Sequence, residues 1–125
     1  MFIFYNPNPD PNRLIVGDCT IRAITKLLDS DWLTIHLELC VKSHFMYDMP
    51  SANRVWEQYL SEKGFKRHMI PDTCPDCYTV RDFCSEHPTG KYLLATGEHV
   101  VTVVDGNYYD AWDSGSEQPI YYWSE

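Results

Sequence analysis

The chain is poor in several things, and each shortage excludes a class of protein. No apolar run approaches the ~18 residues of a membrane-spanning helix; the longest candidate, Tyr92–Ala95, is only the length of a short strand. Positive charge is scarce. Ten lysines and arginines stand against eighteen acidic residues, a net charge of −8 with histidines neutral. Such a surface disfavours phosphate backbones, which argues against nucleic acid as a partner. The opening MFIFYNPNPDPN has no basic stretch ahead of an apolar one, so it does not read as a secretory signal. Five cysteines without such a signal fit a reducing, cytoplasmic setting and free thiols better than a disulfide framework. Internal repeats are absent, and Asn6–Asn12 is the one biased tract. What remains is 125 residues, 44% apolar and 14% aromatic, enough for the core of a single domain.

Residues 1–16 read as an extended lead-in, because Pro7, Pro9 and Pro11 forbid helix there. Residues 17–88 read as mainly helical. A first helix begins at Gly17-Asp18-Cys19, with Ile21, Ala23, Ile24, Leu27 and Leu28 on one face. Ser30 and Asp31 are caps for a second, Trp32–Lys42, which is apolar around most of its girth and is therefore expected at the centre of the fold. Pro50-Ser51 opens a third, striped by Val55, Trp56, Tyr59 and Leu60 and ended by Gly64. Thr79 and Asp82 form a capping box for a short fourth. Across 91–123 the period shortens to that of strands, with a hairpin signal at Asp105-Gly106-Asn107. Helices first and an antiparallel meander after them predict an α+β fold.

Cys19 stands where the lead-in becomes helix. The unpaired N–H groups and positive dipole end at that position stabilise a thiolate, and the same N–H groups suit a developing oxyanion. Gly17 leaves room for a substrate backbone to approach. Set alone, Cys19 reads first as a small hydrophobe at a helix start; only an available base changes that reading. His99 supplies a candidate, at the mouth of the strand Val100–Val104. The strand across the hairpin carries Asp110 and then Asp113, and either carboxylate is in reach to orient the imidazole. Arg22, one turn beyond Cys19, either raises the local positive potential or makes a salt bridge that fixes the helix.

Gly17-Asp18-Cys19-x-x-Arg22-Ala23, then Gly97-x-His99-Val-Val, then Tyr109-Asp110-Ala111-Trp112-Asp113 together resemble the papain-like cysteine peptidases. The likeness is nearest to small single-domain phage and bacterial cysteine-peptidase-like proteins that share a GDCxxRA start. It spans residues 12–113 in order and polarity. The resemblance implies a papain-like fold and a triad of nucleophile Cys19, base and acid His99 and orienting Asp110, with Asp113 as the alternative acid. It implies hydrolysis of a peptide or isopeptide bond in a protein substrate, without a cofactor, in the cytoplasm (of the host cell if phage-encoded). The family carries a glutamine about six residues before the cysteine; this chain has Arg13 there, so Asn12, or Asp18 with backbone N–H groups, is the expected oxyanion hole.

Two rival readings use other residues. Cys74, Cys77, Cys84 and His87 spell C-x2-C-x6-C-x2-H, soft ligands at spacings a structural zinc accepts, although Cys84 also fits the apolar face of the fourth helix. A catalytically silent binding module would use the acidic surface and the tyrosine pairs at 108–109 and 121–122 as a partner-binding face. Cell-wall amide hydrolysis is a third possibility, using the same thiol chemistry.

Overall fold

The computed structural model describes residues 1–12, 16–71 and 76–125. Among them are four helices, α1 (Cys19–Leu27), α2 (Trp32–Phe45), α3 (Asn53–Glu62) and α4 (Val80–Glu86). The strands are β1 (Phe2–Phe4), β2 (Lys66–Met69), β3 (Lys91–Ala95), β4 (Val100–Val104), β5 (Asn107–Asp110) and β6 (Tyr121–Ser124). They form one mixed sheet in the order β1-β5-β4-β3-β6-β2. The fold is α+β, with a fuller sheet than the expected antiparallel meander. The lead-in contributes β1, which runs parallel to β5 with Phe2 opposite Tyr108, and the helical stretch contributes the exposed edge strand β2.

Alternation along the strands makes a core on each face of the sheet. Leu93, Ala95, Val100, Tyr121 and Trp123 face α1, α2 and α3. Leu94, Val101, Val103 and Tyr108 face the other way, where Val80 and Phe83 of α4 cover them. Truncating a fully buried leucine such as Leu93 costs about 2–5 kcal/mol. The β4–β5 hairpin is pinned by Asp105 and Gly106, both at positive φ (49° and 78°), the pair that a type I′ turn demands. Thr79 and Asp82 close a capping box, and Asp31 Oδ1 accepts the Thr34 N–H at 2.9 Å.

One expectation about the layering is reversed. The central helix is α1, buried on nearly every side, including its polar Thr20, Arg22 and Thr25. The longer α2 lies outside it and buries only Ile35, Leu39 and Ser43. A helix with apolar residues on both faces states its hydrophobicity but not which face the core covers. The tyrosine pairs do not form a common face either. Tyr108 and Tyr121 point into the core, while Tyr109 receives the Lys26 ammonium 4.1 Å above its ring.

Candidate active site

The start of α1, the β3–β4 link and the end of β5 meet at one edge of the fold. Cys19 is half-buried at the first position of α1, and Asp18 makes no side-chain cap there. The Cys19 thiol lies beside the His99 imidazole and the Val100 N–H, both of which favour its anion. His99 Nε2 donates to Asp110 Oδ2 at 2.6 Å, which leaves Nδ1 for the thiol. The Trp112 ring lies 4.7 Å from the imidazole, centroid to centroid, and covers it from solvent.

Asp110 is fully buried and every oxygen is matched. Oδ2 accepts from His99 and from Ser114 Oγ (2.6 Å); Oδ1 accepts from Arg22 Nη2 (2.9 Å) and the Ala111 N–H (2.8 Å). Its backbone carbonyl takes the Tyr5 N–H at 2.8 Å, so the parallel β1 segment also holds it. Arg22 is forked: Nη1 reaches Asp18 Oδ1 at 2.8 Å. Cys19, His99, Asp110, Arg22 and Asp18 thus form a line of alternating charge.

The electrostatics follow from that line. Burial raises the Cys19 thiol, but the hydrogen bonds from His99 and Val100 and the positive charges of His99 and Arg22 outweigh it, holding the thiol below its ordinary range. Burial works against the His99 imidazolium, yet bonds to Asp110 and Cys19 push it up to about 9. Burial likewise opposes the Asp110 anion, and His99, Ser114 and Arg22 together keep that carboxyl below its usual range. A lowered thiol beside a raised imidazole shifts the balance toward a thiolate–imidazolium pair, the form in which a thiol is nucleophilic and the imidazole can give up a proton.

The pair opens onto a cleft of about 370 Å³. Gly17 and Thr20 line it beside Cys19, Gly97 and Glu98 beside His99, and Ser51 and Asn53 lie across from them. A β-carbon at Gly17 would meet nothing within 4 Å, so the backbone there is open to an approaching chain. Asn53 was not singled out by its sequence context. Its Oδ1 accepts the Trp56 Nε1–H at 3.0 Å, and the residue lines the cleft.

The remaining candidates lie elsewhere. Asp113 is exposed and spends its carboxylate on Tyr108 Oη, the Gly115 N–H and Arg81. Asp18 is buried, and its carboxylate accepts from Arg22, Trp32 Nε1 (2.9 Å) and Asn8 Nδ2 (3.3 Å), which turns it away from the role of a donor to an oxyanion. Asn12 is exposed, is not part of the cleft wall, and bonds its N–H to Asp10 Oδ1. Arg13 lies outside the described residues, as does Cys74 of the zinc set. Cys77 is exposed, whereas Cys84 packs into the α4 core, where burial raises its thiol, the opposite of what a thiolate ligand needs. His87 stacks on Phe83 with Nδ1 2.9 Å from the Phe83 carbonyl. Among the described residues no three His, Cys, Asp or Glu side chains converge as metal ligands would, and no helix is long and apolar enough to cross a membrane.

In comparisons with known proteins, no family model matches the chain, and neither a curated protein nor a solved structure matches it.

Proposed function

We propose that this chain is a papain-like thiol hydrolase that cleaves a peptide or isopeptide bond. The observation that carries this reading is the Cys19–His99–Asp110 relay, with its thiol lowered and its imidazole raised at the wall of an open cleft. Order and polarity of the three residues along the chain support the papain-like assignment, as does a nucleophile at the start of the central helix.

In the proposed reaction the Cys19 thiolate attacks the substrate carbonyl carbon and the carbonyl oxygen becomes an oxyanion. The Cys19 backbone N–H at the uncapped start of α1 and the Asn53 amide are the donors available to it. As the C–N bond breaks, His99 gives its Nδ1 proton to the leaving amine, and a thioester remains on Cys19. Water then attacks the thioester while His99 takes its proton; the acid leaves and the thiolate–imidazolium pair is restored. Asp110 keeps the imidazole in one orientation and favours its cationic form.

The test pairs thiol reactivity with turnover. Iodoacetamide alkylation of Cys19, followed by peptide mass analysis at pH 6, is expected to be fast in the wild type and slow in His99→Ala. A fluorogenic peptide library is expected to yield substrates whose hydrolysis Cys19→Ala abolishes. Ordinary thiol kinetics at Cys19 that are indifferent to His99 would remove the reading.

A further inference from the structure

The outer face of α2 takes no part in the cleft, and it is unusually apolar. Leu33, Leu37, Val41 and Phe45 are 62%, 64%, 49% and 73% exposed. Their four-residue spacing sets them in one row along the helix, about 18 Å long at 1.5 Å per residue. Tyr47 and Met49, just past the end of α2, are exposed as well. Leu37, Val41 and Phe45 of the row also form one wall of a groove of about 710 Å³ between α2 and α3, with Met46 and Tyr59 in its lining. A continuous apolar row of this kind marks an interaction surface.

Charge and shape select the occupant. The chain carries −8, yet the charged groups lining this groove are two of each sign: Glu38 and Lys42 on α2, Glu62 and Lys63 at the end of α3. Lys42 and Glu62 already pair across the groove. The face is therefore locally neutral on an acidic molecule, and two copies can meet here without bringing like charge together. It is also self-complementary, because ridge and groove lie side by side. A two-fold axis seats each copy's ridge in the other's groove, as an isologous contact requires. With the two helices antiparallel, Glu38 in the first half of one α2 faces Lys42 and Lys63 of the other copy, and the helix dipoles oppose.

We infer that α2 is the interface of a symmetric homodimer, in which two copies pack this helix antiparallel about an axis near Val41. The groove uses the end of α3, whereas the cleft uses Asn53 at its start, so pairing leaves both clefts open. The inference is independent of the chemistry proposed for Cys19.

Sedimentation velocity on the full chain over a concentration series is the test. The wild type is expected to pass from a 14.6 kDa species to one of twice that mass. Val41→Glu/Phe45→Glu and the milder Leu37→Ser/Phe45→Ser should each remain monomeric, with unchanged circular dichroism because these side chains are exposed. Val41→Cys should give a disulfide-linked dimer under mild oxidation, since its position next to the axis brings the two copies' residues together. A wild type that stays monomeric throughout, a dimer that both double variants leave intact, or growth beyond two copies overturns the inference.

Discussion

Arg22 Nη2 lies 2.9 Å from Asp110 Oδ1 and joins the second turn of the central helix to the strand that carries the acid. The same guanidinium holds Asp18 with its other nitrogen, so two buried carboxylates share one cation. A lysine has the charge but not the planar fork that reaches both.

Replacing Arg22 is therefore a test of stability and of tuning at once. Arg22→Met removes the one cation that the two buried carboxylates share and is expected to cost about 3–5 kcal/mol in urea unfolding. Arg22→Lys should fall between it and wild type. Loss of the cation also raises the Cys19 thiol and leaves His99 facing a less neutralised Asp110, so both titrations should move upward. An NMR titration of His99 that is unchanged in Arg22→Lys and Arg22→Met would contradict this coupling.

The pH dependence has a defined sign. The proposed hydrolysis requires thiolate and imidazolium together, so kcat/KM should rise through a lowered thiol titration and fall through the His99 value of about 9. An acid limb at the ordinary thiol value would contradict the ion pair. In Cys19→Ala the thiolate is gone but Asp110 still raises His99. A raised base stabilises the fold fully below its ordinary value of 6.5 and loses that contribution as pH climbs past it, so the Tm of this variant should decline on the alkaline side.

Asp110 and Asp113 are told apart by their partners. Asp110→Asn removes the charge that supports the imidazolium and is expected to lower kcat/KM by about 10²–10⁴-fold. Asp113→Asn disturbs the Arg81, Tyr108 and Gly115 contacts, none of which lines the cleft, and should leave hydrolysis nearly unchanged. Equal losses from the two variants would refute the assignment.

Asn53→Asp preserves the acceptor that Trp56 needs while deleting the amide donor. Hydrolysis is expected to fall by about 10²–10³-fold if that donor meets the oxyanion. Alkylation of Cys19 by iodoacetamide forms no oxyanion and should change far less. If hydrolysis and alkylation fall equally, the residue acts on the thiol and not on the substrate.

Local chemistry is readable in the sequence where a feature is decided by neighbours along the chain. The Thr79/Asp82 capping box, the Asp31 cap and the Asp105-Gly106 turn depend on contacts within a few residues, and each is visible in the string. Cys19 and His99 could be nominated for a similar reason, from helix start and strand mouth; hairpin register left Asp110 and Asp113 both open, and the preference for Asp110 came from the family resemblance. What the string left open was decided by contacts between distant segments. The β1 strand exists because Phe2 pairs with Tyr108, and Asp18 is an acceptor because Asn8, Arg22 and Trp32 converge on it. Cys84 is a core side chain because the sheet lies under α4. Most telling is α2, apolar on both faces: its composition is local, but only the tertiary arrangement chooses which face is buried, and it left Leu33, Leu37, Val41 and Phe45 in solvent.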